Sequence, residues 1–222
     1  MDRQHETGHA ARSAAFDELI AYVQNMGPTY NPPTSDLTVE ALQQKATTAS
    51  QIQKQLATNN ALYKMAKTNR NEAFKPINST VRQVLDLTQA LGINHGTVEQ
   101  MKSITSSILG TKRLSQQGMD ARLDNLNQMI ELLKNVDGYI TNRDHLKIEG
   151  LETLASNIKI AADDVVRKET VLIETRRNRQ KAFGKDEGLT AITRRVKAYL
   201  KSLMGARSND YKQVVRITKV LT

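Results

Sequence analysis

The stretch Leu37 to Phe74 returns without a gap 109 residues later, as Leu146 to Phe183. A segment used twice must fold in related ways both times, so self-similarity limits the fold before any element is assigned. In this register Tyr30 meets Tyr139, Leu42 meets Leu151 and Ala46 meets Ala155, and Arg70 and Phe74 meet Arg179 and Phe183. Four extra residues in the second copy then move the offset to 113, where Arg82, Leu87, Gly92 and Thr105 face Arg195, Leu200, Gly205 and Thr218. Upstream, Phe16-Asp17-Glu18-Leu19 reads against Leu123-Asp124-Asn125-Leu126 at an offset of 107. The expectation is a tandem duplication, with a first unit over residues 1–109, a linker over 110–118 and a second, basic unit over 119–222.

The apolar pattern says what each copy folds into. Phe16, Leu19, Ile20, Val23 and Met26 recur at helical spacing before Gly27-Pro28 stops the run. The turn Tyr30-Asn31-Pro32-Pro33 follows, and Ser35 or Asp36 is placed to cap a long helix over about 36–75. Leu42, Ala49, Leu56, Tyr63 and Arg70 form its heptad seam, matched by Leu151, Ile158, Val165, Leu172 and Arg179. Polar residues such as Lys45 and Asn59 interrupt the companion seam, which favours a globular bundle over an isolated coiled coil. Pro76 and the Gly184-to-Gly188 segment break the long helices. A medium helix ending before Gly92 or Gly205 and a short helix over 98–109 or 211–221 close each copy. The second copy opens with a helix from about Asp120 to Val136. The fold class expected is therefore all-α: short, long, medium and short helices, used twice, packed as a helical bundle.

Composition agrees and narrows the function. Only 4% of residues are aromatic, Trp and Cys are absent, and no run suits an alternating sheet. Without cysteine there is no disulfide, thiolate metal site or Cys nucleophile. No stretch is apolar enough to span a bilayer and the first residues lack a signal-peptide core, so the expectation is a cytoplasmic protein, with export by other routes left open. The net charge of +9 is uneven: from Tyr139 onward 18 Lys and Arg face 10 Asp and Glu, leaving +8 there. Two copies that diverge in charge meet different surroundings.

The turn Tyr30-Asn31-Pro32 leading into Asp36-Leu37, with the ending Val196-Lys197-Ala198-Tyr199-Leu200-Lys201-Ser202, Gly205-Ala206-Arg207-Ser208 and Tyr211-Lys212-Gln213-Val214, resembles a group of uncharacterised all-helical bacterial proteins of similar length. The resemblance covers most of the chain and implies a duplicated helical fold and a bacterial source. It implies no activity.

Candidate sites are few. Arg176, Arg177 and Lys181 close the second long helix, and Arg194, Arg195, Lys197 and Lys201 lie on the polar side of the next. Antiparallel packing would merge them into a patch that neutralises phosphates of nucleic acid or an anionic surface. Nearby acids and the lack of interleaved aromatics weigh against specific nucleic-acid recognition. Arg70 and Arg179 sit in the seam, where they cover Phe74 or Phe183 or pair with carboxylates. The pair Tyr30 and Tyr139, with these arginines and phenylalanines, marks the repeat. His5 and His9 are four apart but lack a third metal ligand. His95 and His145 have no triad partners, and Gly110-Thr111-Lys112 lacks the upstream glycine and strand of a phosphate loop. No catalytic, cofactor-binding or metal-binding residue is expected.

The leading expectation is a non-enzymatic structural or scaffolding protein that assembles with copies of itself, since two related surfaces per chain can propagate into a ring or filament. The alternative is a polyanion-binding protein that uses the basic second half.

Overall fold

The computed structural model describes residues 8–110 and 118–221. Those residues form α-helices and short 3-10 turns with no strand among them, and none of the described helices is long and apolar enough to cross a membrane. The expected linker lies, apart from its two ends, outside the described residues, as does His5.

The element order repeats. Helix α1 (His9–Asn25) is followed by a 3-10 turn (Ser35–Leu37), α2 (Val39–Phe74), α3 (Ile77–Ala90) and α4 (His95–Leu109). Then come α5 (Met119–Lys134), a 3-10 turn (Asp144–Leu146), α6 (Ile148–Phe183), α7 (Leu189–Met204) and α8 (Asn209–Ile217). Both long helices have 36 residues. The cap of α2 differs from expectation. Ser35 and Asp36 are taken up in the 3-10 turn, and Thr38 caps instead, its hydroxyl accepting from the Ala41 N–H at 3.3 Å.

The two 3-10 turns ahead of the long helices are tied down in the same way. The Tyr30 hydroxyl donates to the Leu37 carbonyl at 2.7 Å, and the Tyr139 hydroxyl donates to the Leu146 carbonyl at 2.7 Å. Burial raises both phenols to about 12, so each stays a donor across the ordinary pH range.

The chain forms two compact units, Met1–Ala61 with Thr170–Thr222 and Leu62–Glu169. These boundaries cross those read from the repeat, because each unit takes the front of one sequence half and the back of the other. A 36-residue helix spans about 54 Å, so its two ends cannot lie in one small core. In the first unit, Phe16, Leu19 and Val23 of α1 and Leu42 and Ala49 of α2 pack with Phe183, Val196, Leu200 and Val214. In the second, Phe74, Val81, Val84 and Met101 pack with Leu126, Met129, Leu146, Leu151 and Ile158. Burying one such Leu or Val contributes about 1.5–3 kcal/mol, which is what holds the crossed halves together.

Burial also corrects the registers at both flanks of the repeat. The buried Phe16, Leu19, Ile20 and Val23 of α1 match Leu126, Met129, Ile130 and Leu133 of α5 at an offset of 110, so the four-letter likeness at 107 is one helical turn out of phase. In α3 the buried Ile77, Thr80, Val81, Val84 and Thr88 match Leu189, Ile192, Thr193, Val196 and Leu200 of α7 at 112, one residue from the letter match. Threonine can take a core position because its hydroxyl bonds within the helix: Thr88 donates to the Val84 carbonyl and Thr193 to the Leu189 carbonyl, both at 2.7 Å.

Candidate polyanion-binding groove

The basic residues read from sequence are not all brought together. Arg195 of α7 is held by Asp36 and Thr34 in the turn ahead of α2, through a bidentate contact to the carboxylate and a 3.2 Å bond to the Thr34 hydroxyl. That guanidinium keeps the Asp36 carboxyl below the usual carboxylate range. Lys197 is half-buried, and desolvation lowers its pKa. Arg194, Lys201 and Lys181 are exposed but line none of the larger clefts of the described residues.

Arg176 and Arg177 do meet other cations, though from elements that the sequence separates widely. A groove of about 450 Å³ in the first unit is lined by Arg176, Arg177 and Arg179 of α6, Lys185 of the following loop, and His9 and Arg12 of α1. Phe183 forms part of its wall, its ring edge-on to the His9 ring at 4.8 Å. No carboxylate is among the described residues that line it. Glu187, from the same loop as Lys185, faces a separate cleft with Asp36 and Lys45.

Within the groove the charges have few internal partners. Arg12 donates through Nε to the Val220 carbonyl at 3.3 Å, and Arg176 donates to the Asn60 side chain at 3.4 Å. None of the five cations is ion-paired among the described residues. Four of the five are arginines, whose planar forks suit paired oxygens of phosphate, sulfate or carboxylate. His9 has its pKa lowered, chiefly by burial and then by Arg179 and Arg12. The smaller, coulombic part of that shift reflects the positive field of Arg179 and Arg12, which attracts an anion.

No family model, curated protein or solved structure matches the chain. Its function is therefore argued from this geometry.

The remaining sequence candidates take structural places. Arg70 is half-buried beside Phe74, and its Nε has no hydrogen-bond partner among the described residues. Arg179, its counterpart, joins the groove wall. His145 meets the Gln83 side chain at 3.0 Å, and His95 lies 3.9 Å from Glu99. No group of three or more metal-ligating side chains occurs among the described residues. The groove members outside the patch read from sequence are His9, Arg12, Arg179 and Lys185; for Arg12 and His9 no usable signal existed, since more than 160 residues separate them from Arg176.

Proposed function

We propose that this protein is a non-enzymatic binding protein that docks on an extended polyanion through the α1–α6 groove. The observation that carries the reading is the set of five cations around about 450 Å³ with no carboxylate among the described residues that line it. Charge distribution supports it. The first unit carries 17 Lys and Arg against 10 Asp and Glu, and the second carries 15 against 13. The aromatic rings of the groove wall are Phe183, which is 2% exposed, and the half-buried His9 braced edge-on against it, so contacts would be to backbone phosphates or equivalent anions rather than to base identity.

The test is binding to heparin and to a labelled oligonucleotide over a salt series. For a single strand, log K falls with log salt by about 0.7 per phosphate neutralised, so three to five contacts give a slope of about 2 to 3.5. Salt-insensitive binding, or none at low salt, refutes the reading.

Self-assembly is a second reading with its own support. Met65, Ile160 and Val166 of the long helices are 60%, 60% and 63% exposed, more than large apolar side chains require. The uneven charge adds little support to head-to-tail assembly, because the front of the chain, with 4 Lys and Arg against 6 Asp and Glu over residues 1–61, already meets the basic back within one unit, as in the Asp36–Arg195 contact. Concentration-dependent species in sizing, with no retention on heparin, would favour assembly. On either reading the halves are taken as descendants of one segment.

A further inference from the structure

Within the groove, three side chains differ from the rest by lying at the same corner and being partly withdrawn from solvent: His9, Arg12 and Arg179 are half-buried, while Arg176, Arg177 and Lys185 are exposed. The His9 ring is braced edge-on against Phe183 at 4.8 Å, and its backbone carbonyl accepts from the Gln53 amide at 3.4 Å. Gln53 also donates to the Ser13 hydroxyl at 2.8 Å, so α2 helps fix the first turn of α1. An imidazole held in place next to two permanent cations, at the wall of an anion-attracting groove, is well placed to respond to what occupies that groove.

We infer that this corner is a discrete site for one phosphodiester group of the polyanion, bound by Arg12 and Arg179, with His9 as a third, proton-linked donor. The inference rests on the polyanion reading and adds a position and a regulation to it. The groups that face His9 are Arg12 on its own helix, Arg176, Arg177 and Arg179 on α6, Lys185 on the loop, and the non-titrating Gln53 on α2. Among the described residues the titratable ones are all cationic; burial first, and then Arg179 and Arg12, lower the His9 pKa and favour the neutral ring while no anion is bound. An anion between Arg12 and Arg179 offsets part of their positive field and, by pairing with the ring, favours the imidazolium, which then donates a charge-assisted bond. Proton and phosphodiester therefore bind with positive coupling, and by linkage each strengthens the other.

A probe of constant charge tests this: rhodamine-labelled oligothymidylate, whose phosphodiesters and bases do not titrate between pH 5.5 and 8, at fixed ionic strength. Wild-type affinity should rise on the order of five- to tenfold from pH 7.5 to 5.5, a tenfold gain corresponding to about one unit of pKa increase on binding. His9→Gln should lose the pH dependence, its affinity at pH 5.5 staying within about twofold of its own value at pH 7.5, whereas His145→Gln should keep the full slope. The His9 ring proton resonances, followed by NMR, should titrate at higher pH with the oligonucleotide than without it. A His9→Gln variant that keeps the slope, or a His9 titration unmoved by the probe, overturns the proton-linked site and leaves the polyanion reading standing. Wild-type protein that fails to bind at every pH removes both.

Discussion

The Phe183 and Phe74 corners occupy equivalent positions in the two sequence halves, and what covers each ring differs: one corner opens on a basic groove and the other is closed by an arginine. Over Phe74 lies the Arg122 guanidinium at 5.6 Å, with one nitrogen donating to the Asn78 side chain at 2.6 Å. Against Phe183 the partner is a histidine ring, and Arg12, the counterpart of Arg122 by distance from the helix start, is left at a groove mouth. Where α6 has Arg176 and Arg177, α2 has Lys67 and Thr68. One scaffold thus uses its α5 arginine to finish a core, while its α1 arginine lines a groove. Burial lowers the Arg122 pKa, as expected for a cation engaged in packing.

The comparison can be broken in several ways. The largest effect should come from the shared part. Phe74→Ala and Phe183→Ala should each cost about 3–5 kcal/mol in denaturant unfolding, and a loss in one without the other would mean that the two corners are not equivalent supports. Next in size, Arg176→Glu with Arg177→Glu should weaken oligonucleotide binding at least tenfold, about 1.4 kcal/mol, whereas Lys64→Glu with Lys67→Glu should change it less than about twofold. Equal losses would show that general charge, not the groove, is responsible.

Smaller, but more telling, is the arginine exchange of roles. Arg122→Ala should lower stability by about 1 kcal/mol without affecting affinity, and Arg12→Ala should do the reverse. The tyrosine clasps should behave alike: Tyr30→Phe and Tyr139→Phe each remove a donor from a turn carbonyl at a cost of about 1 kcal/mol, readable in a thermal melt. The smallest effect concerns Asp36. Its folded pKa is held below the ordinary 3.8 by Arg195, so its contribution is complete above that value and is lost as the pH falls through the folded one. In an acid titration Asp36→Asn should remove this part of the pH dependence.

Much of the helical content was legible in the residues. Leu42, Ala49 and Leu56 lie on the buried face their seven-residue spacing implied, and the stops at Gly27, Pro76 and Gly92 fall within a few residues of helix ends. Gly92 and Gly205 both have positive φ, 65° and 81°, as a residue without a Cβ allows. Letter matching failed at the flanks, where Leu87 looked like the partner of Leu200 but Thr88 holds the core position. The reason is that a threonine whose hydroxyl is returned to its own helix behaves as an apolar side chain, and no alphabet of hydrophobic residues records that.

Local chemistry along the chain determined the helices, their apolar faces, the tyrosine-bound turns and the excess of positive charge, because each depends on neighbours within a few residues. Only the tertiary structure decided that the front of the first half shares a core with the back of the second. That choice put Arg12 and His9 beside Arg176, Arg177 and Arg179, and paired Arg195 with Asp36 instead of leaving it in a basic patch. The physical cause is the length of the helices: a rod of 36 residues carries the chain out of one core and into the next, so which cations meet depends on where the rods end rather than on their order in sequence.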